Sequence, residues 1–204
     1  LTAASISQES ASRARLVPAT LVGMTMTRNI TLADVLIPSS QAPAAEHAEA
    51  LRLYGQFVGS WNVEFIDYLP DGTQQRGRGE WHWGWILDGR AIQDVWIAPP
   101  RAERPAALET AFKNRFGSTI RSYDVKRQIW YITWNNPPTG DHIDLIGRAD
   151  GADILQEGQL PDGTRKRWRF LDITDRSFRW EGAASTDEGR TWRVEQEMWA
   201  SRAG

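Results

Sequence analysis

The stretch Glu80-Trp-His-Trp-Gly-Trp-Ile-Leu-Asp-Gly-Arg-Ala-Ile-Gln-Asp-Val-Trp96 decides the fold. Trp81, Trp83 and Trp85 recur at alternate positions, and that spacing sets side chains on one face of a strand. Asp88-Gly89 between the two halves signals a hairpin, because glycine supplies the positive φ that tight turns require. Read as a two-residue turn, it pairs Leu87 with Arg90, Trp85 with Ile92, Trp83 with Asp94 and Trp81 with Trp96. The last six of these share one face. Glu80, His82, Gly84, Ala91 and Gln93 take the other, which reads as outer surface. Asp94 falls among indoles. A carboxylate there must be hydrogen-bonded, paired or protonated, since burying it alone is costly.

Outward from this hairpin the same pattern continues. All 11 tryptophans lie between residues 57 and 200. Strand-like runs are expected at 57–69, 77–87, 90–98, 116–123, 128–135, 142–148, 153–160, 165–171, 177–185 and 190–200. Further Asp-Gly turns stand at Asp71-Gly72 and Asp162-Gly163. Hairpins in unbroken succession, with no helix between them, predict an all-β protein: a closed antiparallel up-and-down barrel of about ten strands. A two-sheet sandwich is the competing architecture. Pro43 to Tyr54 predicts a helix, with Ala48, Leu51 and Tyr54 on one face and Gly55 ending it, placed to cap one end of the barrel. Residues 1–42 read as an N-terminal arm, of which 1–23 resemble a leader, and 43–204 as a single barrel domain. The Pro-rich interruption from Pro99 to Arg115 reads as a flap over the barrel mouth or a tether to a second subunit.

Composition narrows the function classes. The net charge of -2 argues against nonspecific nucleic-acid binding, which needs a positive surplus. With no cysteine, thiolate catalysis and Cys-based zinc sites are excluded. No apolar run approaches the roughly 20 residues of a membrane span. His47, His82 and His142 show no metal-ligand spacing, so neither a metal nor another cofactor is expected. A cytoplasmic location is expected.

Phe57-Val-Gly-Ser-Trp61, directly after the helix, resembles the Gly-x-Trp signature of the lipocalin-like (calycin) barrels. In those families the Trp closes one end of the barrel and packs on a basic residue from a late strand, a role that falls here to Arg193 or Arg179. Trp-Ile-Leu-Asp-Gly-Arg at 85–90, Arg121-Ser-Tyr-Asp124, Trp130, Trp134 and the tail Phe178–Trp192 together resemble uncharacterised bacterial lipocalin-like proteins of the DUF1579 type. The resemblance spans residues 51–200 and implies the barrel but no reaction. Nitrobindin-type haem barrels share the layout, but Asn62-Val-Glu-Phe65 replaces their Gly-rich run, which argues against haem. Ser185-Thr-Asp-Glu-Gly-Arg-Thr-Trp192 fits the Asp-box pattern SxDxGxTW and reads as the turn between the last two strands.

The leading functional reading is a binding protein for a small, largely apolar or aromatic molecule. Trp81, Trp83, Trp96, Trp134, Trp168 and Trp180 would supply flat walls, with Asp94 and Gln156 orienting a polar end. The alternative is a cofactor-independent isomerase, lyase or cyclase in the same cavity. It would use Asp94 as general acid or base, with Tyr131, His142 or Arg121 stabilising developing negative charge. His142 and Asp144 share a strand face, as an acid–base pair at the mouth or a solvated strand end. Arg165, Arg167 and Arg169 should point outward toward Glu181, Glu195 and Glu197 while Trp168 and Phe170 point in. A homodimer held by the N-terminal arm, without a ligand, is the third reading.

Overall fold

Strand after strand pairs antiparallel with its successor until the last closes on the first, forming one barrel. The computed structural model describes residues 31–37, 41–104 and 115–204, which belong to one unit, Thr31–Gly204. The expected leader at 1–23 and most of the expected flap lie outside the described residues. The strands are β1 (Gly59–Tyr68), β2 (Gln74–Ile86), β3 (Ala91–Ala98), β4 (Arg115–Asp124) and β5 (Ile129–Asn136). They continue as β6 (Asp141–Asp150), β7 (Asp153–Gln159), β8 (Arg165–Leu171), β9 (Ser177–Ser185) and β10 (Arg193–Arg202). The architecture is the closed barrel rather than the sandwich. Closure removes both sheet edges, which a sandwich would leave exposed.

The deciding hairpin has the expected register. Trp81 faces Trp96, Trp83 faces Asp94 and Trp85 faces Ile92. Its turn is broader than two residues: the strands end at Ile86 and Ala91, and Leu87, Asp88 and Gly89 all take positive φ. The outer face of this hairpin differs from expectation. Gln41 Oε1 accepts a hydrogen bond from the Trp85 amide at 3.0 Å, and the Ala44 amide donates to Gly89 O at 3.0 Å. Residues 41–44 thus lie over the hairpin, and Ala91 is buried instead of exposed. A short helix, α1 (Leu32–Leu36), with a Thr31–Asp34 capping box, meets the same turn through Leu87 N–H donating to Leu36 O.

The predicted cap at Pro43–Tyr54 is divided. A 3₁₀ turn at Ala45–His47 precedes helix α2 (Ala48–Gly55), and His47 interrupts the helix with a φ of −137°. Leu51 and Tyr54 of α2, with Phe57 just beyond it, are fully buried in one end of the barrel. Tyr54 meets Trp130 edge-on at 4.8 Å, and Phe57 meets Phe170 and Phe178 at 4.8 Å each.

The Gly-x-Trp element closes that end, with a basic partner other than the two named from sequence. Arg202, near the end of β10, lies over the Trp61 ring at 4.2 Å and donates to the carbonyls of Val58, Gln56 and Asp175. Arg179 instead pairs with Glu197 on the outside, and Arg193 with Glu195. Trp61 Nε1 donates to Phe57 O at 2.7 Å. Gly59 is required twice over: its φ is +126°, and a Cβ would sit 2.7 Å from the Arg202 guanidinium.

Candidate functional site

The half of the barrel away from α2 is hollow. A cavity of about 400 Å³ opens between the strands, walled by Trp81, Trp96, Trp134, Trp168 and Trp180. Small residues on adjacent positions make this room. Gly79, Gly117 and Gly182 face inward, and a Cβ on each would collide with the rings of Trp96, Trp134 and Trp180 respectively. With hydrogen in its place each indole lies back against the sheet, leaving the centre open.

Arg121 lines the deep part of this cavity, almost wholly buried. Alternation on β4 turns it inward, where it forms an ion pair with Asp94 on β3. The Asp94 carboxylate also accepts from Trp81 Nε1 at 2.7 Å. Burial pushes the Asp94 carboxyl above the usual aspartate range, and Arg121, Trp81 and Thr119 pull against that shift. Trp83, Tyr54 and Phe170 pack against the guanidinium, with Trp83 at 4.3 Å. Its hydrogen bonding among the described residues is confined to Asp94 through Nη1, and its buried Nε has no acceptor.

The mouth is polar, and each cation there among the described residues is matched by a carboxylate. Arg115 pairs with Asp67 at 2.7 Å, and Gln196 donates to the second Asp67 oxygen at 2.6 Å. Lys166 pairs with Glu195 at 2.6 Å. Asp141 accepts from Thr139 Oγ1 at 2.5 Å and, at 3.5 Å, from Asn136 Nδ2. Among the described residues no group of three or more His, Asp or Glu is placed to hold a metal ion.

The structure gathers Trp81, Trp96, Arg121, Trp134, Trp168 and Trp180 around this cavity and leaves the other sequence candidates elsewhere. Asp94 stands behind Arg121 with both oxygens partnered. Trp83 and Gln156 are buried nearer the plugged end, Gln156 donating to Tyr54 Oη at 3.0 Å. Tyr131 and His142 are on the outside. Tyr131 is 42% exposed, and His142 pairs with Asn135 and Asp144 in solvent, because both sit one position off the inward alternation of β5 and β6. The outward arginines of β8 also find other partners than expected: Arg169 pairs with Asp153, and Arg167 lies over the Trp192 ring at 4.2 Å. Sequence reasoning overlooked Arg115, Asp67 and Lys166 at the mouth. The signal was present in their inward parity on β4, β1 and β8.

No family model matches the chain, and no curated protein matches it. Solved structures do. The S-type phycobiliprotein lyase CpeS from Guillardia theta superposes with a TM-score of 0.51 at 10% identity, over 79% of this chain and 99% of that one. Rv2717c from M. tuberculosis superposes with a TM-score of 0.50 at 14% identity, over 77% and 99%. Both likenesses are of fold: the chain has a lipocalin-like barrel. Among the described residues no helix is long and apolar enough to cross a membrane.

Proposed function

We propose that this barrel binds a small, flat, largely apolar or aromatic molecule between the indoles at its open end. The observation that carries the reading is the cavity of about 400 Å³ walled by five tryptophans, with one buried cation among the described residues, Arg121, lining it. Apolar walls with few placed polar groups are the usual make-up of a small-molecule site. The CpeS neighbour is named as an S-type phycobiliprotein lyase, and its likeness supports the choice of barrel without naming a ligand here. A cytoplasmic role, a domain comprising residues 43–204 with 1–42 as an arm, and kinship with DUF1579-type proteins belong to the same proposal.

The isomerase, lyase or cyclase reading depended on Asp94 as acid or base. With Trp81 and Arg121 on its two oxygens, Asp94 favours a structural part, so binding without turnover is the better-supported reading. Tryptophan fluorescence tests it. A panel of flat aromatics should give saturable quenching, weakened by about 2- to 10-fold or more in Trp134→Ala or Trp180→Ala, since stacked aromatic contacts carry roughly 0.5–1.5 kcal/mol beyond area burial. Trp199→Ala, on the outer face, should bind as the parent does. Loss of ligand from solution with appearance of product would shift the reading to an enzyme, and no saturable response from any panel member would end it.

A further inference from the structure

Among the described residues, every cation that lines the cavity already has a carboxylate. Arg121 holds Asp94, Arg115 holds Asp67 at 2.7 Å, and Lys166 holds Glu195 at 2.6 Å. Asp141 at the mouth adds a further acid. An anionic ligand would therefore enter a site with no surplus positive charge, losing its hydration without a counter-ion. A cationic ligand would meet Asp141 at the mouth but find the neutral Asp94–Arg121 pair within, and it would lose its hydration there as an anion would.

Arg121 nevertheless has hydrogen-bonding capacity to spare. A guanidinium carries five N–H donors, and among the described residues this one uses Nη1 alone, on Asp94. Aromatic rings surround it, Trp83 at 4.3 Å and Tyr54 at 5.2 Å from its central carbon, and its unused donors lie in its own plane. Asp94, itself held by Trp81 Nε1, keeps that plane in place. A neutral acceptor satisfies such donors without adding charge.

We infer that the cavity selects uncharged planar aromatic molecules that set a carbonyl oxygen, or a comparable neutral acceptor, against the Arg121 guanidinium. This rests on the binding reading above and adds the polarity of the ligand's inner end. Asp94 is then a positioning residue: it neutralises and orients Arg121 and does not meet the ligand.

The test compares three probes of one tricyclic skeleton by titration calorimetry on the full chain: 9-fluorenone, fluorene and fluorene-9-carboxylate. Fluorenone should bind roughly 10- to 100-fold more tightly than fluorene, the range for a hydrogen bond to a charged group, and more tightly than the carboxylate. The bound fluorenone carbonyl band should move to lower infrared frequency. In Arg121→Lys, which keeps a cation opposite Asp94 but removes the planar donor edge, the fluorenone-to-fluorene ratio should fall toward one while fluorene still binds. Equal affinities for fluorenone and fluorene, an unshifted carbonyl band in the parent protein, or tightest binding by the carboxylate would each overturn the inference. Those results leave aromatic binding intact. If all three probes fail while other flat aromatics quench saturably, the inference falls alone; if no aromatic binds, the binding reading falls with it.

Discussion

Asp94 and Arg121 show how one pair of residues sets both the stability and the polarity of the interior. Each is almost fully buried, so removing one partner strands a charge in an apolar site. Arg121→Met should destabilise the fold by about 3–5 kcal/mol in denaturant titrations, whereas Arg121→Met combined with Asp94→Leu should recover most of that loss. Gly182 carries a different lesson. The atoms nearest an added Cβ belong to the Trp180 ring, the first 2.5 Å away, and the far edge of an indole can swing. Gly182→Ala should therefore push Trp180 into the hollow, weakening aromatic binding several-fold while the denaturation midpoint changes little. At Asp187, bonds from Thr191 and Ser185 hold the carboxyl down at about 2 against an ordinary 3.8. A depressed acid stabilises its loop above the ordinary value and stops doing so as pH falls through the folded one. The Thr191 amide resonance should titrate with a midpoint near 2, and Ser185→Ala should move that midpoint upward.

Among the elements, the plug built from α2, the start of β1 and the end of β10 does the most to define the barrel. Arg202 joins these segments by bonds to the Gln56 and Val58 carbonyls and by lying over Trp61, and it reaches the turn before β9 through the Asp175 carbonyl. Arg202→Met keeps the aliphatic stem but loses those bonds, and it should cost about 2–4 kcal/mol by thermal or chemical unfolding. The Asp-box element explains why β10 begins at Arg193 and not at Arg190. Asp187 accepts from both the Thr191 amide and hydroxyl, and Ser185 Oγ accepts from the Gly189 amide at 2.8 Å. Residues 186–192 are spent on this turn, so pairing resumes only beyond Trp192. The hairpin from β2 to β3 was legible almost residue by residue because alternation and an Asp-Gly turn specify register locally. The identity of the arginine under Trp61 was not. Its partner lies 141 positions away, and several late-strand arginines satisfy the same sequence pattern.

For the whole molecule, strand parity and turn chemistry in the sequence determined a closed antiparallel barrel with indoles turned inward and a helix at one end. Those properties follow from local rules, since alternation assigns each side chain to a face whichever strand lies beside it. Depth along the barrel and the pairing of charges were decided only in three dimensions. Trp83 and Trp81 are two residues apart on one face, yet Trp83 is packed beside the plug and Trp81 borders the cavity. Tyr131 and His142 looked like polar site residues but fall on the outward parity of their strands. Asp94 read as a carboxylate in need of a partner, and only the fold brought Arg121, 27 positions later, to rest against it. The hollow itself is a collective property. It exists because inward glycines on several strands let the large rings lie back against the wall, and for Gly79 and Gly117 the ring that takes the place of the missing Cβ comes from a neighbouring strand.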